Sequence, residues 1–402
     1  MDSKLVKENL YMFIGNFILY FLSYIFQFYL GHTFNPEEFG IIGTLFSILT
    51  IISLLFYSVQ ISITQIISKT KPQKTKNLFN QITKHSLILG SFIGIIILAI
   101  SPILSSFLKI NIYFFVIIAI ATLLLMLQMS SRGILQGLEK FKLLSINYSY
   151  EGLFRLIFGV FFVVLGFEIN GVLGALLASY FLSFIMVYFT FKKKDENKNP
   201  IPAKEIYSVL PYNLTALLFL NLLGTIDLIL ARHYLSPLDT GYYAAISTLG
   251  KIIPSLSITI GLVLISKSIK KKDNLKLLTK SLLLSILVSI PFILVFFFFP
   301  KLIINLSLGP NYLEAGKYLG IFSINATIYS LLIIITYFLI NQKRKYLIYI
   351  TILALFIEVF FISIFHSNIL QIIISMLFTI LALFVTFLSL IFFSKTPTKQ
   401  NL

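Results

Sequence analysis

The residues best placed to do chemistry in this chain are charged groups set inside apolar sequence. Asp227 and Lys251 flank the short polar link Ser236-Pro237-Leu238-Asp239-Thr240, within the stretch DLILARHYLSPLDTGYYAAISTLGK. A helix rises about 1.5 Å per residue, which puts the acid roughly 12 Å below the link on one arm and the base roughly 15 Å below it on the other. In a transmembrane hairpin the two charges therefore share a depth. An ionisable group in hydrocarbon is costly, so it faces a partner or a wet cavity. Lys251 is the deepest lysine, and Asp227 is its natural partner.

Glu151 and Arg155 form a second pair, four residues apart and so on one face of a helix. One reading is a self-neutralised pair that locks helix packing. The other is an arginine that exchanges Glu151 for a substrate anion, using the bidentate match of guanidinium to phosphate. Arg232 and Lys317 lie nearer the outer surface, where long side chains can snorkel to water, and are further candidates for substrate contact. Glu358 has no base at helical spacing; a carboxyl left unpaired in hydrocarbon favours its neutral form. With Asp227 and Glu151 it is a candidate for coupling to a proton or a sodium ion.

Other chemistry is not expected. The four histidines, His32, His85, His233 and His366, fall at the ends of apolar segments without metal-ligand spacing. The chain has no cysteine, and no Ser/His/Asp set, Walker loop, HExxH or zinc pattern occurs. The sequence thus points to no catalytic residue, no metal and no cofactor, and an enzyme is not expected.

The elements that must position these groups follow from composition. The chain has 402 residues, 58% of them apolar and 12% charged, with a mean hydropathy of +0.94; soluble domains carry about a quarter charged residues. Apolar segments occupy about 9–31, 40–67, 85–106, 112–136, 146–166, 171–191, 206–233, 241–266, 281–300, 312–340, 346–366 and 369–393. Such runs far exceed the roughly 9–11 residues of a membrane barrel strand. The expected fold is an all-α polytopic membrane protein with about 12 transmembrane helices. No small-residue cleavage site follows the first segment, so no removable signal peptide is expected.

The net charge of +17 reads as a topology signal and not as an affinity for nucleic acid. With the N-terminus inside, the inner loops and tails collect Lys69, Lys71, Lys74, Lys76, Lys192 to Lys194, Lys270 to Lys272 and Lys343 to Lys345. The outer loops hold only Lys109 and Lys301, while Arg155, Arg232, Lys251 and Lys317 lie deeper within the apolar segments. Basic loops stay cytoplasmic, which places both termini in the cytoplasm of a cell-membrane protein.

The polar stretch KKKDENKNPIPAK follows the sixth segment and divides six helices from six. It separates an N-terminal lobe, 1–195, from a C-terminal lobe, 206–402, with 196–205 as the cytoplasmic link between them. A repeat supports the division: Gly31-His32-Thr33-Phe34-Asn35-Pro36-Glu37-Glu38-Phe39-Gly40 matches Arg232-His233-Tyr234-Leu235-Ser236-Pro237-Leu238-Asp239-Thr240-Gly241 at an offset of 201. Both hairpins run from inside to outside and back, so the halves are parallel repeats. The repeat does not duplicate the charges, since Phe26 and Thr50 stand at the positions of Asp227 and Lys251.

Asn35-Pro36-Glu37-Glu38-Phe39-Gly40, Arg132-Gly133-Ile134-Leu135-Gln136-Gly137, and Asp227-Leu228-Ile229-Leu230 followed by Gly241-Tyr242-Tyr243-Ala244-Ala245 carry a resemblance to a known family. Over residues 1 to about 340 the chain resembles the polysaccharide biosynthesis, or oligosaccharide flippase, branch of the MATE-like flippase superfamily. The resemblance implies two six-helix lobes around a central cavity open to one membrane side at a time. It also implies movement of polyprenyl-diphosphate-linked oligosaccharide from the inner to the outer leaflet, with membrane lipid, a coupling sodium ion or proton and polysaccharide assembly proteins as partners. Matched positions carry over only Asp227 and the hairpin glycines and tyrosines; Arg155, Lys251, Arg232 and Lys317 are read from depth. The alternative is a MATE-type cation or drug exporter driven by sodium or protons, which calls for more cavity carboxylates than this sequence supplies. A major-facilitator carrier and a non-transporting member of an assembly complex are weaker rivals.

The orientation can be tested by introducing single cysteines into this cysteine-free chain. Gln73→Cys and Asn197→Cys should resist an impermeant thiol reagent in intact cells and react once the membrane is opened. Labelling of either position from outside overturns the topology.

Overall fold

The computed structural model describes residues 3–70, 75–191, 212–256, 274–341 and 346–393. Among them there are helices and no strand. Among the described residues nine helices are long and apolar enough to cross a membrane. The fifth predicted crossing is absent from that set because Asn147, Glu151 and Arg155 interrupt its apolar run. The seventh is broken, and the eighth runs into residues outside the described set, so about twelve crossings is the count the helices support.

The helices gather into two compact units. The first comprises Met1–Thr33 and Leu45–Pro211, the second Phe34–Thr44 and Tyr212–Leu402. Chain order alone would have placed Phe34–Thr44 with the first.

The first unit is built from α1 (Ser3–Thr33), the later turns of α2 (Pro36–Thr70), α3 (Thr75–Leu108), α4 (Tyr113–Gly137), α5 (Phe141–Val164) and α6 (Glu168–Thr190). α5 is its centre, lying along both α1 and α6. Lipid tails are as apolar as leucine, so helices in a bilayer associate through close packing at small residues. Gly15 on α1 lies against the backbone of Ser145, and Gly159 on α5 against the ring of Phe26; a Cβ at either would collide. Toward one end Ile63, Phe79, Leu135, Leu144 and Phe184 from five helices close a common core.

The second unit holds α7 (Tyr212–Leu223), α8 (Ile226–Tyr234), α9 (Pro237–Gly250), α10 (Asn274–Phe298), α11 (Pro300–Ser307), a 3-10 turn (Pro310–Ala315), α12 (Gly316–Asn341), α13 (Leu347–Ile364) and α14 (Ile369–Phe393). Its core joins Leu220, Leu332, Phe338, Ala354, Ile380 and Phe387. The predicted helix over 206–233 is two helices. At the break Thr225 donates its amide to Leu222 O and its hydroxyl to Asn221 O, while the Tyr329 hydroxyl donates to Leu220 O. Freed carbonyls are thus capped inside the protein, as hydrocarbon requires. Gly224 is needed at the break because a Cβ there would lie 2.6 Å from the Tyr329 hydroxyl.

The sequence repeat has a physical basis in helix capping. Asn35 accepts from the Glu38 amide through Oδ1 (3.0 Å), and Glu38 accepts in return from the Asn35 amide (3.2 Å). Ser236 likewise accepts from the Asp239 amide (3.1 Å) and donates its hydroxyl to the Asp239 carboxylate (2.8 Å). Each box encloses a proline at the first helical position, where a missing N–H costs nothing. The two repeated helix starts meet at their own glycines: a Cβ on Gly40 would lie 3.0 Å from Gly241 N, and one on Gly241 would overlap the Pro36 carbonyl. Tyr312 fixes this contact by donating its hydroxyl to Phe34 O at 2.8 Å.

Gly241→Val should therefore destabilise the purified protein by roughly 1–3 kcal/mol through overpacking against backbone that cannot move aside. Gly174→Ala, whose new Cβ would meet only the Phe162 ring at 3.6 Å, should leave thermal unfolding unchanged. Equal melting temperatures for the two variants would show that the glycine contact does not hold the unit together.

Candidate functional site

Among the described residues a buried cluster of charged side chains forms in each unit. In the first, Asn147, Glu151 and Arg155 recur every fourth residue along α5 and so share one face. Glu151 is buried, and each of its oxygens has its own guanidinium. Arg132 on α4 donates to Oε2 at 2.6 Å, and Arg155 donates to Oε1. Arg132 also donates through Nε to Asn147 Oδ1 at 2.8 Å and lies 4.2 Å from the centroid of the Tyr148 ring. Asn147 is itself tied to Ser183 O at 2.7 Å. Arg155 donates to the Ser23 hydroxyl at 3.2 Å and lies over Tyr180. Two guanidinium groups on one carboxylate leave the centre with an excess positive charge.

The accessibility of the two arginines differs. The Arg132 side chain is 1% exposed and that of Arg155 is 17% exposed, so only Arg155 can reach a group arriving from outside the packed helices. Nearby Gln128 is fully buried with neither amide atom hydrogen-bonded.

In the second unit Asp227 lies in the first turn of α8, just past the break at Gly224 and Thr225. The positive end of a helix dipole and its unpaired amides favour a negative charge at that place. Asp227 is wholly buried; its Oδ2 accepts from the Tyr243 hydroxyl at 3.0 Å and its Oδ1 faces Lys251 Nζ at 3.4 Å. The hairpin thus brings Asp227 and Lys251 together at one depth. Lys251 ends α9 and is followed by one further turn, 252–256, that contains Pro254. Its side chain is 31% exposed. Beside it is a small cavity of about 10 Å³, room for about one water molecule, bordered by Lys251, Asn325 and Tyr329. Asn325 is buried with both amide atoms unpartnered. Glu358 on α13 is also wholly buried, and neither carboxyl oxygen is hydrogen-bonded. It lies within electrostatic reach of Asp227 and Lys251, so this unit gathers two acids around one base.

The remaining candidates are placed apart. Lys317 is an exposed residue at the start of α12, 3.7 Å from exposed Glu314. Arg232, expected to snorkel, is instead buried in the last turn of α8 within electrostatic reach of Glu37. Arg132 and Asn147 are site residues that the sequence reading does not include. Arg132 stands near the end of an apolar segment, where sequence alone does not separate it from the loop bases; the structure buries it because α4 continues past it to Gly137. For Asn147 a signal existed, its four-residue spacing from Glu151. The inner-loop bases at 71, 74, 192–194, 270–272 and 343–345 lie outside the described residues.

Residues 5–265 match the sequence profile of the family described as polysaccharide biosynthesis protein. An uncharacterized membrane protein of Methanocaldococcus jannaschii is 27% identical over 325 residues, covering 74% of this chain and 76% of the relative. Among solved structures, an inward-facing MATE-family multidrug resistance transporter of the MOP superfamily superposes with a TM-score of 0.76 at 14% identity, covering 94% of this chain and 95% of its own. The lipid II flippase MurJ, in an inward closed conformation, superposes with a TM-score of 0.73 at 15% identity, covering 96% of this chain and 87% of its own. At these identities the structural likeness establishes the fold shared with these transporters.

The Asp227 and Lys251 pair can be weighed by a double-mutant cycle. Removing one member of a buried ion pair costs about 3–5 kcal/mol when the other is left without a partner. Lys251 reaches partly open space, so Asp227→Ala should fall at or below the lower end of that range. Asp227→Ala with Lys251→Ala should destabilise less than Asp227→Ala alone. Simple addition of the two effects in thermal unfolding would mean that the groups are not coupled.

Proposed function

Since this chain belongs to the polysaccharide biosynthesis protein family, we propose that it is an alternating-access flippase that moves polyprenyl-diphosphate-linked oligosaccharide from the inner to the outer leaflet. The observation that carries this reading is the doubly cationic centre on α4 and α5, where a single carboxylate is shared by two arginines and one of them is accessible. A diphosphate inside a bilayer needs such a cation, and guanidinium matches phosphate oxygens in pairs. A cationic drug would be repelled by it, which argues against the exporter reading. Lys251, partly exposed in the second unit, is the further cation for the diphosphate. The glycan would occupy a wet polar cavity and the prenyl tail would stay in lipid.

Ion coupling is assigned to the second unit. Both Glu151 oxygens are taken by guanidinium groups, so Glu151 serves as their counter-charge and not as a coupling site. Asp227, whose partner Lys251 is partly exposed, and Glu358, whose carboxyl oxygens carry no hydrogen bond, are the acids that would exchange a proton or a sodium ion. An arriving diphosphate would compete for Lys251 and release Asp227 to take that ion, which links the two binding events. Arg232 and Lys317 have no assigned contact with the head group. On this reading the protein would lie in the cell membrane with both termini cytoplasmic and would hand its product to polysaccharide assembly proteins.

The test is transport of a fluorescent polyprenyl-diphosphate sugar in proteoliposomes with imposed ion gradients. Arg155→Ala should reduce the initial rate at least tenfold with normal protein abundance, and Lys251→Ala should reduce it as well. Asp227→Asn should flatten its dependence on pH or sodium. Wild-type rates in the Arg155→Ala, Lys251→Ala double variant would remove both residues from the substrate path.

A further inference from the structure

We propose that Arg132 is a positioning residue that keeps Glu151 neutralised while Arg155 turns away to bind a phosphate group, so that anion capture needs no proton uptake by the protein. The inference rests on the reading of Arg155 as the diphosphate ligand and adds what makes its release possible.

Glu151 is bonded on both sides, and its two partners are held very differently. Arg132 is clamped by Asn147, which is anchored to Ser183 O, and by the Tyr148 ring, and its side chain is almost fully buried. To leave Glu151 it would have to break its 2.8 Å bond to Asn147 and lift off a ring centroid 4.2 Å away, with no open space beside it. Apart from Glu151, Arg155 has the Ser23 hydroxyl and the face of Tyr180, and its Nε has no hydrogen-bond partner. It is the member free to swing.

With only one arginine, that swing would strand a buried carboxylate, which would have to take a proton from water to stay in the membrane. With two, Arg155 departs and a neutral Arg132 and Glu151 pair remains. The groups facing Glu151 are Arg132 and Gln128 from α4, Arg155 from its own helix, Tyr20 from α1 and Tyr180 from α6. Beyond the two arginines these are uncharged at neutral pH, so nothing else in that set can replace Arg132. The exchange is one of partners: the Arg155 bond to Glu151 breaks, a bond to phosphate oxygen forms, and no proton moves.

The experiment is titration of farnesyl diphosphate into the full-length protein in nanodiscs, by calorimetry between pH 6 and 8 in two buffers of different ionisation enthalpy, which counts protons taken up. The wild-type profile supplies the ligand's own ionisation. Relative to it, Arg132→Met should take up one additional proton on binding, and its affinity should weaken about tenfold for each added pH unit, the slope that linkage requires for one proton. Arg132→Lys, which keeps a cation beside Glu151, should follow the wild-type profile. Glu151→Gln in the Arg132→Met background should abolish the extra proton. A wild-type proton count in a folded Arg132→Met protein overturns the inference and leaves the transport reading intact, because a merely structural arginine would change affinity without changing the proton count. If Arg132→Met does not fold, Glu151→Gln is compared with Arg132→Met/Glu151→Gln. Equal affinity supports the proposal, and a tenfold loss shows that Arg132 contacts the ligand itself and overturns it. Absence of any binding by the wild type takes down both this inference and the assignment of Arg155.

Discussion

The structure depends on one constraint: a charge held among apolar helices must be neutralised where it stands. The two units meet it in opposite ways. The first sets two cations on one acid, Arg132 and Arg155 on Glu151. The second sets two acids near one cation, Asp227 and Glu358 near Lys251. An excess of cation suits the capture of an anionic head group. An excess of acid, with one carboxyl lacking any hydrogen bond, suits a group that gains and loses a small cation. The proposed division of labour between substrate and coupling ion rests on these local balances.

Helix geometry supports both centres by different means. α5 presents Asn147, Glu151 and Arg155 on one continuous face, and its glycines let α1 approach closely enough for Ser23 to reach Arg155. In the second unit the acid is presented by a discontinuity. The break at Gly224 and Thr225 puts Asp227 at a helix start, where backbone amides add to the attraction of Lys251. Irregular backbone at that depth is tolerated because Thr225 and Tyr329 satisfy the freed carbonyls.

The internal repeat preserves the mechanics of the hairpin and not its chemistry. Both copies begin a helix with a reciprocal cap, a proline and a glycine, and they meet at those glycines. The positions equivalent to Asp227 and Lys251 are Phe26, a buried core ring, and Thr50, an exposed residue whose hydroxyl bonds to its own helix at Phe46 O. A duplicated scaffold has thus been left free to carry one charge centre in each half, built from different residues.

The amino-acid sequence by itself determined the fold class, because a run of about 20 apolar residues in a bilayer can satisfy its backbone hydrogen bonds within the segment only as a helix. It also determined the pairings that arise along one helix or across one tight hairpin, Glu151 with Arg155 and Asp227 with Lys251, since helical rise and periodicity dictate both. Only the tertiary structure decided what depends on which helices lie side by side. It brought Arg132 to Glu151 from a different helix, gathered Glu358 toward Asp227 across more than a hundred residues, and left Lys317 on the surface with Glu314. It also broke the seventh helix, which hydropathy reads as continuous because a Gly-Thr step is apolar enough to pass unnoticed. Periodicity is a property of one segment, whereas the partner of a buried charge is chosen by packing between segments.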